Sequence, residues 1–267
     1  MLVKLIITLF LSLFLSNLTF SDTKPVTTLP VTTTYCHDLL KYGNPAHANL
    51  YLCRIGYIVG YNYETKQPRW VAYKLTNSSV SQHIKRHDHF QADPAVPIKY
   101  RAELSDYHNN GYDRGHLAPY AAMSFSKESA EESFYLSNMS PQKAGLNRQG
   151  WEQLETDVRF WAGYKKEIYI YTGPIFKHVK SHKSIGKNKI LVPEYFFKII
   201  YAPKTNEAIA FVMPNAHVNK KDVAKYRVSI TNIEQRTGLQ FLTSLPKEQR
   251  QKLVNNVSKM WRTSYRS

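Results

Sequence analysis

Five stretches of this chain, residues 50–62, 69–75, 167–176, 190–203 and 207–215, read as β-strands, and they constrain the fold more than anything else in it. The first two, LYLCRIGYIVGYN and RWVAYKL, are aromatic and β-branched, the composition that a pleated surface favours. Hairpin-length connections separate strands, and few helices intervene. The chain is therefore predicted to be α+β, a central mainly antiparallel sheet flanked by helices. One helix is expected over 126–138, with Ser129 and Glu132 in capping-box spacing, and a stronger one over 146–164, striped by Trp151, Leu154, Val158 and Trp161. A third is expected over 246–261, where Leu253, Val257 and Trp261 share a face. Residues 76–101, polar and carrying His83, His87 and His89, read as a long surface loop.

At 267 residues, 43% apolar, the chain can bury one substantial core, and a single domain over 35–267 is the expectation. Its charge is unusual: 36 Lys and Arg stand against 20 Asp and Glu, a net +16. Such a surface favours polyanions, either nucleic acid or anionic lipid. Residues 1–21 carry one early cation, Lys4, followed by an apolar run, the pattern of an export signal cut after Ser21, with an uncleaved membrane anchor as the alternative. The expected location is thus secreted or periplasmic, with membrane-anchored or organelle-targeted forms as the alternatives. No stable membrane partner is expected once the signal is removed. Residues 22–34, rich in Pro and Thr, are expected to form an extended tether. The two cysteines, Cys36 and Cys53, either bridge, which suits an oxidising compartment and stabilises by roughly 3 kcal/mol, or remain buried thiols.

The chemistry concentrates in GYDRGHLAPYAAM, residues 111–123, where Asp113, Arg114 and His116 fall within four positions. For a basic protein facing a polyanion, the simplest reaction is phosphodiester hydrolysis. It needs a base that works near neutral pH, which imidazole provides, and a cation on the developing phosphorane charge. A hard divalent ion on oxygen ligands suits the second role. Oxygen donors stand between 134 and 155: Asn138, Gln142, Asn147 and Glu155. Asn147, Trp151 and Glu155 are spaced i, i+4 along the predicted helix.

YDRGHLAP, followed by FYLSNMSPQ and LNRQGWEQLE, resembles the DNA/RNA non-specific endonucleases of the ββα-metal (His-Me finger) type, a group that includes secreted bacterial nucleases and mitochondrial endonuclease G. YTGPIF, VPEYFFKII, FVMPNA and IEQRTGL extend the likeness from about residue 57 to 246. The resemblance implies that His116 is the general base and that Asn147 is the one protein side chain on a magnesium ion, with manganese as its substitute. The products would carry 5′-phosphate and 3′-hydroxyl ends. Asn138 and Glu155 would orient metal waters and support the site; Asp113 would position backbone or metal water, and Arg114 would contact phosphate or brace the loop. Arg86 is the candidate for a transition-state arginine, at a spacing that departs from the family pattern. DNA and RNA are the implied substrates, and a homodimer and an inhibitor protein are compatible partners. The competing readings are a nucleic-acid-binding relative with weak catalysis, a phosphodiesterase acting on smaller substrates, and a basic membrane-surface protein. Asn138-Met-Ser is also formally a glycosylation sequon, and a glycan there would block the site.

Overall fold

The computed structural model describes residues 34–177 and 183–263. The expected signal and most of the tether, residues 1–33, lie outside the described residues. Eleven strands occur among them: β1 (Leu50–Cys53), β2 (Tyr57–Asn62), β3 (Gln67–Thr76), β4 (Asp113–His116), β5 (Met139–Gln142), β6 (Glu167–Ile175), β7 (Ser184–Ile185), β8 (Ile190–Leu191), β9 (Tyr195–Ala202), β10 (Glu207–Pro214) and β11 (Arg227–Val228). The helices are α1 (Thr34–Leu39), α2 (Tyr120–Met123), α3 (Lys127–Glu132), α4 (Glu152–Lys165), α5 (Ile230–Thr237) and α6 (Lys247–Asn255). Seven strands form one sheet in the order β1-β2-β3-β6-β9-β10-β11, and every pairing in it is antiparallel. The predicted fold class is the observed one.

The central strands are apolar at successive positions because the sheet is covered on both faces. In β9, Phe196 and Ile200 join Trp151, Leu154, Val158 and Trp161 in one core, while Phe197, Ile199 and Tyr201 join residues of α1, α5 and α6 in the other. Alternation along a strand sends neighbours to opposite faces, so a strand with no polar face must be buried twice. Each large side chain fully removed from water contributes roughly 1.5–3 kcal/mol. The α4 stripe expected from the spacing of its tryptophans is buried along its whole length.

Several boundaries differ from the sequence reading. The stretch 50–62 is two paired strands, since the chain reverses at Gly56, whose φ of +105° suits glycine. Residues 190–203 divide around Pro193: the first part pairs with β7 and only the second enters the large sheet. Helix α3 is capped by Ser126, whose hydroxyl accepts the Ser129 N–H at 3.1 Å, so the Ser129–Glu132 capping box does not form. The last helix stops at Asn255, and the following segment returns Trp161 to a partner: the Trp161 indole N–H donates to the Arg262 carbonyl at 2.7 Å, with Trp261 edge-on to it at 5.1 Å. No helix among the described residues is long and apolar enough to cross a membrane.

Cys36 and Cys53 are bridged, with their Cα atoms 6.0 Å apart, which ties α1 to the end of β1. The bridge closes a separation of 17 residues, so replacing both cysteines by serine is expected to cost about 3 kcal/mol. Urea unfolding of the two proteins measures this; a difference under about 1 kcal/mol would show that the bridge is thermodynamically idle.

Candidate active site

Strand β4 carries the DRGH motif and pairs with β5 in a two-stranded sheet apart from the large one: Asp113 lies opposite Gln142 and His116 opposite Met139. The Ser140 hydroxyl donates to Gln67 Oε1 at 2.5 Å, which anchors β5 to the large sheet. Asn138 is fully buried and holds the far end of β4. Its amide oxygen accepts the Ala118 N–H at 2.9 Å, and its Nδ2 donates to the carbonyls of Ala118 at 2.8 Å and Ser133 at 2.9 Å. With both donors spent on backbone, Asn138 braces the strand that presents His116 and does not face the cleft. The same burial leaves no room for a glycan on Asn138 in the folded protein.

The segment before α4 is not regular α-helix. Leu146–Trp151 is wound as a π-helix that runs directly into α4. Its Gly150 N–H leaves the helical ladder for the Val218 carbonyl at 2.9 Å, and a Cβ at Gly150 would lie 2.3 Å from Val218 Cγ1. Glycine therefore permits the close approach that opens the turn. The i, i+4 geometry expected for Asn147, Trp151 and Glu155 is altered accordingly: Trp151 is wholly buried, while Asn147 and Glu155 both line the cleft.

That cleft, of about 830 Å³, brings together Arg86, Asp113, Arg114, His116, Asn147 and Glu155. Asp113 organises its rim. It accepts Asn147 Nδ2 at 3.0 Å and a two-pronged bond from Arg148, Nε at 2.8 Å and Nη2 at 2.7 Å. Burial pushes the Asp113 carboxyl up, but the Arg148 and Asn147 hydrogen bonds outweigh it and hold the group below its usual range. The Asn147 amide is thereby oriented through its nitrogen, and no described residue bonds its oxygen.

The His116 ring lies between Phe90 and Phe134, each centroid 5.5 Å away. Its Nε2 is buried without a partner, which leaves Nδ1 as the nitrogen open to the cleft. Burial, then the Arg86 charge, lower the imidazole to about 3, with Arg114 adding to the effect and Asp88 opposing it. His116 is thus neutral at physiological pH, the form that accepts a proton.

Beneath the cleft, Lys198 projects from β9 on the α4 side and is fully buried, 4.7 Å from the Trp151 ring centroid and 3.4 Å from the Tyr73 hydroxyl. Burial raises the Glu155 carboxyl and lowers the Lys198 ammonium, and the charge of each partly restrains the other. Arg86 is paired with Asp88 at 2.7 Å and lies over the rings of Tyr120 and Phe134 at 5.4 and 5.5 Å. The structure therefore brings Arg86 to the cleft despite its irregular spacing. The Arg114 guanidinium stacks on Phe90 at 4.1 Å. Arg148 and Lys198 are not among the residues that the sequence singles out. Arg148 adjoins Asn147 and could be flagged by position, whereas a lysine inside an apolar strand is the signal for Lys198.

Among the described residues no group of three His, Cys, Asp or Glu is placed to hold a metal. The cleft instead offers an amide oxygen and a carboxylate, hard donors that suit a hydrated divalent cation more than a soft one.

The sequence profile of the DNA/RNA non-specific endonucleases matches residues 37–248. The mitochondrial nuclease of Saccharomyces cerevisiae is 35% identical, over 82% of this chain and 73% of its own. Endonuclease G, mitochondrial, of Homo sapiens is 33% identical, over 78% of this chain and 74% of its own. A crystal structure of an EndoG/EndoGI complex, concerned with EndoG inhibition, superposes with a TM-score of 0.74 at 28% identity, covering 82% of this chain and 95% of that one. The expectation of a secreted or periplasmic protein is overturned by these relatives, which are named as mitochondrial. An apolar leader with a single cation did not separate export from organelle targeting. With the profile spanning most of its length, and a cleft built on its DRGH strand, the chain belongs to the DNA/RNA non-specific endonuclease family.

Proposed function

We propose that this protein is a metal-dependent, sugar-non-specific endonuclease that hydrolyses DNA and RNA to 5′-phosphate and 3′-hydroxyl ends. The observation that carries the reading is the cleft itself: the Nδ1 edge of a neutral His116 and an uncommitted Asn147 amide oxygen open into the same cavity. His116 accepts a proton from the attacking water at Nδ1, and the flanking phenylalanines fix the ring's orientation. Asp113 holds the Asn147 amide by its nitrogen and keeps its oxygen available. Asn147 would hold a magnesium ion, with Glu155 orienting the surrounding water; when bound, the ion would neutralise charge on the scissile phosphate and leaving oxygen. Arg114, held on an aromatic face, and Arg86 supply positive charge to the phosphate.

The mitochondrial names of the relatives support organelle targeting over export. The Cys36–Cys53 bridge requires that the compartment oxidise thiols. The EndoG/EndoGI complex supports an inhibitor protein as a partner.

The test is cleavage of supercoiled plasmid and of RNA, with magnesium or with chelator, by the parent protein and by Asn147→Ala. Both substrates are expected to be cut only with metal, and Asn147→Ala should lose about 10²-fold, the upper end of the range seen when metal-site support is removed. Cleavage that persists in chelator would refute the metal.

A further inference from the structure

A second groove, of about 390 Å³, meets the cleft at Tyr112, which lines both. Lys177 and Lys183 line it, and Lys143 and Arg236 adjoin it through the rings of Tyr112 and Tyr195, which also line it. Lys143 Nζ lies 4.2 Å from the centroid of the Tyr112 ring and Lys183 Nζ lies 5.6 Å from the same ring. On the Tyr195 ring, Lys177 Nζ lies at 5.3 Å and the Arg236 guanidinium at 4.3 Å. Other cations are paired with carboxylates, Arg148 with Asp113, Lys220 with Glu152 and Arg101 with Glu103, whereas these four, like Arg114 in the cleft, lie on aromatic faces. None of these four cations has a carboxylate partner among the described residues.

The difference matters chemically. A carboxylate neutralises a cation and occupies its N–H donors; an aromatic face holds it through the ring quadrupole and leaves its charge and donors for another ligand. The groove is also built. Asn215 Nδ2 donates to the carbonyls of Pro141 at 3.0 Å and Pro193 at 2.9 Å, and its Oδ1 accepts the Lys143 N–H at 2.8 Å. One side chain thus joins the ends of β5 and β10 to the approach to β9. Glu194, the one carboxylate among the described lining residues, accepts the Lys177 backbone N–H at 3.2 Å.

We propose that this groove binds the phosphate backbone of the polynucleotide as it leaves the cleft, so that Lys143, Lys183, Lys177 and Arg236 favour long substrates over short ones. The proposal rests on the nuclease reading of the cleft, and its ligand is identified by the continuity at Tyr112 and by cations in and beside the groove that no described carboxylate neutralises and that suit successive phosphates. An acidic protein on the same groove is the outcome that the experiment separates.

The experiment compares the full-length protein with a Lys143→Gln/Lys177→Gln/Lys183→Gln variant and with the corresponding lysine-to-arginine variant. Steady-state cleavage is measured on kilobase duplex DNA and on an oligonucleotide short enough to occupy the cleft alone, over a range of salt. The glutamine variant is expected to raise KM for long DNA by about tenfold or more with kcat held. Its slope of log KM against log salt should fall by about 0.9 for each phosphate that is no longer neutralised. KM for the short oligonucleotide should move less than about twofold, since only cations outside the groove serve it. Arginine should restore the long-substrate KM. Equal shifts on both substrates, or none on either, would overturn the groove and leave an acidic protein as its ligand. A parent protein that cuts neither substrate would refute the nuclease reading; anisotropy of labelled long and short strands in the His116→Ala background then decides the groove by the same long-against-short criterion.

Discussion

Replacing His116 by alanine is expected to lower kcat on plasmid DNA by about 10²–10⁴-fold, the contribution of a positioned general base. The size of the effect follows from how the ring is held. Its inner nitrogen is shut away between two phenylalanines, its outer nitrogen faces the cleft, and burial with two nearby guanidiniums keeps it neutral. Single-turnover cleavage at saturating protein isolates this step from substrate binding, and a loss below about tenfold would remove His116 from the chemistry. The pH dependence has a definite sign. Because the imidazole is lowered to about 3, its basic form persists as pH falls through 6.5, and the rate should lack an acid limb centred there. An acid limb at that ordinary histidine value, disappearing in His116→Asn, would show that the ring is solvated like a free histidine.

Asp93→Ala is expected to destabilise the fold by about 3–5 kcal/mol, because it strands a buried guanidinium. Asp93 is fully buried. It takes Arg54 Nη2 at 2.7 and 2.5 Å through its two oxygens, the Ala95 N–H at 2.9 Å and the Ser137 hydroxyl. Arg54 in turn stacks on Tyr135 at 4.8 Å, so the pair fastens the turn between β1 and β2 to the segment that precedes β5. Most of the expected loss is the uncompensated charge on Arg54, not the worth of the pair. Arg54→Met combined with Asp93→Leu should therefore recover part of it. Urea unfolding of the two variants decides; an Asp93→Ala loss under about 1 kcal/mol would mean that water reaches Arg54.

The sheet was legible because its strands are buried on both faces and so display runs that no loop would carry. The DRGH strand was legible as chemistry because three ionisable groups close together rarely serve packing. Strand β5 was hidden: it is four residues long, contains Pro141 and follows a helical turn, so neither alternation nor composition announces it. Asn138 was legible as important but not as buried, since an asparagine that bonds backbone and one that faces water look alike in a sequence. The pairing of Arg148 with Asp113 joins residues 35 positions apart and depends on the irregular turn that carries Arg148 to the rim. Lys198 escapes a sequence reading because a single polar residue in an apolar run is easily taken for noise.

That irregular turn makes the cleft sensitive to chain length as well as to side-chain identity. A π-turn accommodates a residue that a regular helix would not, and each residue of α-helix represents a rotation of about 100°. Excising one residue between Leu146 and Trp151 would close the turn into ordinary helix and rotate everything before it around the α4 axis. Asn147 would then be carried away from His116 with every cleft side chain still present, so a single-residue deletion could silence the protein while leaving its motifs intact.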